Sequence, residues 1–176
     1  LPQRYGNDPT SIDMDEFTRM VDYFMEQGFT YFDTSYAYHE ETSEGALKKA
    51  LVERYPRESY QIANKIPTWL LREEKDNDRL VDIMLERLGI EYFDVLLVHN
   101  INKALFPKAE NANSFEYVKK AKEEGKALKI GISFHEKAEL LEEVHVDSGV
   151  ELEASLCCHV RVGDEQRHKA ASSSTE

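Results

Sequence analysis

An α/β protein built on a parallel sheet, of four to five strands alternating with helices, is the fold class predicted by this sequence of 176 residues. Three observations carry the prediction. Apolar stretches of helical period alternate along the chain with short apolar runs of strand length, the pattern of a parallel sheet. The run Phe93–Val98 is apolar almost throughout, as expected of a strand covered on both faces. Four polar residues, Asp33, Lys65, His99 and Ser133, close four successive strands at intervals of 32, 34 and 34 residues. Each interval is about one strand–helix unit, and in a (β/α) barrel such strand ends converge on the face that carries the chemistry.

The elements follow in order. Phe17, Met20, Val21, Phe24 and Met25 recur at helical spacing between Ser11 and Gly28. Ser11 or Asp13 caps that helix, Asp15 and Glu16 favour its positive end, and Gly28 stops it. The first strand is Thr30–Asp33. A second helix runs from Thr42 or Ser43 to Arg54, with Ala46, Leu47, Ala50 and Leu51 facing inward. Tyr60–Lys65 is the second strand, Lys75–Leu88 a helix ended by Gly89, and Phe93–Val98 the third strand. A helix over Ser114–Glu124 ends at Gly125, Leu128–Ile132 makes the fourth strand, and a helix over Lys137–Val146 precedes a fifth strand near Val150. Asn111–Ser114 reads as a loop and cap. From Ser155 to Glu176 no apolar period is sustained, so the expected division is a barrel-type domain over 1–154 and a disordered tail over 155–176.

Composition excludes several classes. A net charge of −12 disfavours nucleic acid and anionic membrane as partners. No apolar run approaches the roughly 20 residues of a membrane helix. Cys157 and Cys158 are adjacent and form no disulfide framework, which predicts the reducing cytoplasm. With His159 and His168 they match no metal-ligand spacing, so no metal is expected. The chain starts at Leu1 without Met and reads as a fragment or a processed end.

Taken singly, Asp33 reads as a turn former, Lys65 as a solvated lysine and His99 as a structural histidine. Their joint setting says more. Gly28-Phe29-Thr30-Tyr31-Phe32-Asp33-Thr34-Ser35-Tyr36-Ala37-Tyr38 resembles the G-x-x-x-F-D-T-A-x-x-Y motif of the aldo-keto reductases. Ser43-Glu44 is similar to the opening of that family's next helix, and Asn64-Lys65 to the strand ending in its catalytic lysine. Leu88 to His99 resembles its L-G-x-x-Y-x-D-x-x-x-x-H signature, and Gly125-Lys126 to Ser133 its G-K-x-x-x-x-G-x-S stretch. The resemblance spans about residues 11–150.

What the resemblance implies is a partial (β/α)8 barrel, the TIM-barrel fold, lacking one strand before residue 1 and three after about residue 150. It implies reduction of aldehydes or ketones with NADPH, on a tetrad falling at Asp33, Tyr38, Lys65 and His99. Tyr38 would be the general acid. A free phenol has a pKa of about 10 and parts with its proton reluctantly, so a cationic Lys65 nearby would stabilise the phenolate. Asp33 would hold Lys65 charged, and His99 would donate a hydrogen bond to the carbonyl oxygen. Ser133 would contact the nicotinamide carboxamide, although Phe134 follows where the family commonly has Asn. By its position just past Lys65 on the expected active face, Trp69 would either line the substrate pocket or pack on its own loop. The family's phosphate-gripping end has no counterpart here, and no G-x-G-x-x-G replaces it. An alternative expectation follows: a non-catalytic half-barrel that self-associates through its open edges or docks on a partner.

Overall fold

The computed structural model describes residues 1–134, residues 136 and 141, and the backbone of 154–157. Five strands lie in one sheet, all parallel and in sequential order: β1 (Tyr31–Asp33), β2 (Gln61–Ile66), β3 (Phe93–Ile101), β4 (Ala127–Phe134) and β5 (Ala154–Cys157). Helix α1 (Met14–Glu26) precedes β1, and α2 (Ser43–Leu47), α3 (Lys75–Leu88), α4 (Phe106–Asn111) and α5 (Ser114–Glu123) lie between strands in sequence. Residues 1–13 fold back on themselves through an antiparallel bridge between Gln3 and Ile12.

Local chemistry explains the boundaries. Asp13 caps α1 by accepting from the Glu16 amide at 3.0 Å. Phe17 and Val21 bury the inner stripe, while Met20 is 51% exposed: it lies at the margin of the apolar arc. Phe24 closes the end of that arc, stacking on Phe29 and edge-on to Phe32. The second helix changes pitch at Lys48, and a π-helical turn over Lys48–Val52 is closed by the Glu53 amide bonding Lys48 O at 3.0 Å. Ala46, Leu47, Ala50 and Leu51 are all buried, as their spacing predicts. Gly89 ends α3 at φ +70°, the left-handed cap that only glycine adopts freely.

The main core lies between the sheet and its helices, with Ile62, Leu96, Val98, Ile130 and Ile132 meeting Leu51, Leu80, Met84, Leu88 and Val118. The other face of the sheet buries a smaller set, Ala63, Val95 and Leu97. Asp94, the polar member of an otherwise apolar run, accepts from Arg57 Nη2 and from the Ile62 amide, both at 2.7 Å. It therefore ties the start of β3 to the start of β2.

Three expectations change. Phe106–Asn111 forms a short helix where the sequence predicts only the end of a loop, its first turn carrying Pro107 where a missing N–H costs nothing. The strand β3 runs to Ile101, through a bulge at Asn100 (φ +55°) that a shortest-run reading stops before. The fifth strand takes in Ser155, Leu156 and Cys157, which the sequence assigns to the tail: a four-residue strand is too short to leave an apolar period, and its pairing with Gly131–Phe134 defines it instead. The expected helix over Lys137–Val146, the strand start near Val150 and the rest of the tail lie outside the described residues, apart from residue 141.

Candidate active site

Register places the polar strand ends side by side. Asp33 pairs with Ala63, Lys65 with Leu97, and Val98 with Ile132, so the carboxyl ends of β1 to β4 form one rim. On that rim Lys65 is fully buried, and its ammonium has three acceptors: Asp33 Oδ1 at 2.6 Å, the Thr34 carbonyl at 2.8 Å and Tyr38 Oη at 3.2 Å. An ammonium has three protons to donate, so each is used. Nζ also lies 4.7 Å from the centre of the Tyr38 ring. Tyr38 is 39% exposed with its hydroxyl paired, and Asp33 is exposed as well, whereas Lys65 between them is closed to solvent. A cavity of about 360 Å3 opens beside Asp33 and Tyr38, with Leu1, His39 and Ser43 in its wall.

The loop after β1 bends sharply to aim Tyr38 at Lys65. His39, Glu40 and Glu41 take φ values of +53°, +51° and +68°, three successive left-handed residues, none of them glycine. The Ser43 amide bonding Tyr38 O at 3.2 Å, and Thr42 Oγ1 donating to His39 O at 2.6 Å, hold that turn.

His99 is nearly buried beside this group. Its Nδ1 is 3.0 Å from Ser35 Oγ, and its carbonyl accepts a short hydrogen bond from Thr68 Oγ1. The Tyr38 ring stands edge-on to the imidazole at 6.1 Å, and the Trp69 ring is tilted against it at 5.2 Å. Trp69 sits on a single 3-10 turn, Thr68–Leu70, whose carbonyl at Trp69 is held by Lys108 Nζ at 3.2 Å. Ser133 is buried on β4, between Ile132, which pairs with Val98, and Phe134, which pairs with Ile101, so it faces the bulged pair His99 and Asn100 of β3. Thus Asp33, Tyr38 and Lys65 touch, His99 adjoins Tyr38 and Trp69 adjoins His99, while Ser133 lies on the neighbouring strand opposite the β3 bulge.

Behind the site Glu44 is fully buried, accepting from Asn64 Nδ2 at 2.6 Å and Arg87 Nη1 at 3.2 Å, while Asn64 Oδ1 receives the Lys65 amide at 2.8 Å. Burial pushes the Glu44 carboxyl above the usual carboxylate range, opposed by its bonds to Asn64 and Arg87. Arg87 also binds Glu41 at 2.6 Å and lies over the Tyr36 ring. Glu44 therefore braces the strand residue before Lys65. Ser35 and Thr68, which hold His99, escape a sequence reading. Ser35 alone had a signal, since it stands where the motif quoted above carries Ala. Among the described residues no group of three or more His, Cys, Asp or Glu side chains is placed to hold a metal. His159 and His168, and the second of the paired cysteines, lie outside the described residues.

A parallel α/β sheet with its polar groups gathered on the carboxyl rim defines a chain of the (β/α)-barrel class. Residues 3–157 match the aldo/keto reductase family, and the chain belongs to it. It is 30% identical over 135 residues to the probable aldo-keto reductase 1 of Glycine max, covering 72% of this chain and 37% of that protein. The aldo/keto reductase of Brucella melitensis superposes with a TM-score of 0.63 at 25% identity, over 81% of this chain and 53% of that one. An aldo-keto reductase of Klebsiella pneumoniae, solved in complex with NADPH, superposes with a TM-score of 0.67 at 20% identity, over 81% and 47%. The chain thus spans from a little over a third to about half the length of these relatives. Its five parallel strands are a partial (β/α)8 barrel.

Proposed function

We propose that this chain reduces aldehydes and ketones to alcohols with NADPH, Tyr38 acting as general acid. The observation that carries the reading is the Lys65 ammonium, buried and set 2.6 Å from Asp33 and 3.2 Å from the Tyr38 hydroxyl. A cation at that distance stabilises the phenolate left when Tyr38 gives up its proton, and Asp33 keeps that cation charged. When bound, the reduced nicotinamide supplies the hydride, whose electron pair forms the new C–H bond while the carbonyl π pair moves to oxygen. Tyr38 Oη protonates that oxygen. His99 donates a hydrogen bond to the same atom as charge builds on it. The flat ring of Trp69 walls the substrate side.

For the reacting end of the cofactor, the buried Ser133 on β4 would be the residue that contacts the nicotinamide carboxamide. The Klebsiella relative, solved with NADPH, supports the choice of nucleotide. We assign the substrate to small-molecule carbonyl compounds and, from the two adjacent cysteines and the lack of a disulfide framework in the sequence, the compartment to the reducing cytoplasm. Among the described residues no helix is long and apolar enough to cross a membrane.

The test is an NADPH titration followed by nucleotide fluorescence, then carbonyl-dependent NADPH oxidation. Saturable micromolar binding is expected, with turnover in Tyr38→Phe reduced by about 10²–10⁴ while binding persists. A folded chain that leaves millimolar NADPH unbound, or a Tyr38→Phe variant with full turnover, refutes the assignment.

One further observation favours a second reading. Among the described residues β1 is an edge strand, and it leaves Tyr31 exposed beside an exposed Phe29. In that reading the half-barrel is non-catalytic and covers its open edge by self-association or by docking on a partner. A blank titration from a cooperatively melting oligomer is its signature.

A further inference from the structure

The hydrogen-bond inventory of Ser35 decides which nitrogen of His99 carries the proton. Ser35 is fully buried two residues past the end of β1, and His99 is 7% exposed on β3. Among the described residues, Ser35 Oγ has one partner, His99 Nδ1 at 3.0 Å. If the imidazole donated through Nδ1–H, the hydroxyl proton of Ser35 would be left in a dry pocket without an acceptor. If the hydroxyl donates, its proton is satisfied and only lone pairs remain, and burying an unmade donor is the more costly error. Neighbouring groups pack on the residue's backbone and on its ring. Thr68 Oγ1 binds the His99 carbonyl, the Trp69 ring leans on one side and the Tyr38 ring stands edge-on.

We propose that Ser35 is a positioning residue that donates its hydroxyl proton to His99 Nδ1 and thereby holds the imidazole as the Nε2–H tautomer. The neutral ring then presents a hydrogen-bond donor on the side away from Ser35 without having to be protonated. That donor's use, hydrogen bonding to the substrate oxygen, rests on the reductase reading above; the tautomer itself does not.

The experiment is a long-range 1H–15N correlation spectrum of the imidazoles in the 15N-labelled chain, at a pH above about 7.5 where free imidazole is neutral. The His99 signals are those lost in His99→Gln. The wild type is expected to show His99 as Nε2–H, and Ser35→Ala to lower the Nε2–H to Nδ1–H ratio about tenfold, equivalent to about 1.4 kcal/mol. An Nδ1–H signal in the wild type overturns the proposal, as does an unchanged ratio in Ser35→Ala. Should Ser35→Ala not fold, the wild-type spectrum alone decides. The measurement needs no cofactor, so a failed NADPH titration leaves it standing, and a wrong tautomer leaves the titration standing. In an active chain, Ser35→Ala lowers kcat about tenfold at nearly constant KM.

Discussion

Lys65 and Glu44 are both fully buried and ionisable, yet they serve opposite ends of the same strand residue pair. Lys65 spends all three protons on Asp33, Thr34 and Tyr38, so its charge is balanced where the chemistry would occur. Glu44 holds Asn64 from behind, at the cost of desolvating a carboxylate. Its consequence for stability has a definite sign. The native state keeps the Glu44 proton more tightly than the unfolded chain does, so the protein loses stability as pH rises from about 4.3 through the raised native value, after which the penalty is constant. Glu44→Gln lacks that penalty. Urea melts at a series of pH values should therefore show the stability of wild type relative to Glu44→Gln falling across this window; a rising difference would refute the burial argument. Asp33, Tyr38, Lys65 and His99 were legible because their chemistry is unusual at strand ends and their wording matches a family. Ser35, Thr68 and Asn64 act by orientation, and a hydroxyl or amide in a motif has no spacing that reveals what it will face.

At the scale of elements, strand and helix identity follows from apolar period, and the glycine-stopped α3 is readable to the residue because Leu80, Met84 and Leu88 form one stripe ended by Gly89. Backbone strain was not readable. His39, Glu40 and Glu41 sit in the left-handed region with ordinary side chains, each at a cost of about 1–2 kcal/mol, and only the tertiary demand to bring Tyr38 over Lys65 imposes it. Paired substitutions should move stability in opposite directions. Glu40→Gly, at an exposed residue, should stabilise by about 0.5–1 kcal/mol, the relief of strain exceeding the entropy glycine adds to the unfolded chain. Gly89→Ala should destabilise by about 1–2 kcal/mol, from its φ of +70° and a Cβ that would come 2.8 Å from Lys48 Cε. Thermal melts of the two variants check both signs, and equal shifts would deny that φ governs these turns.

At the scale of the whole molecule, the described strands leave β1 at one edge of the sheet, and the nearest apolar groups there are open: Phe29 at 58% and Tyr31 at 41% exposure. Unpaired strand edges of this kind seek a partner. Sedimentation of the chain alone should reveal concentration-dependent association, reduced in a Phe29→Lys, Tyr31→Lys double variant; a monomer at every concentration would deny that this edge is sticky. The partial barrel was legible from the even spacing of its strands, whereas what covers its edge is a property of surfaces, on which composition is silent. The sequential strand order has one more consequence. Among the described strands each pairs with the one next made: β2 meets β1 across about 30 residues, and β3 meets β2 across about 32. Loop-closure entropy grows only with the logarithm of such lengths. Each of these additions therefore meets nearly the same entropic barrier, and a chain emerging from the ribosome can extend this stretch of sheet one strand at a time, β1 to β4, as synthesis proceeds.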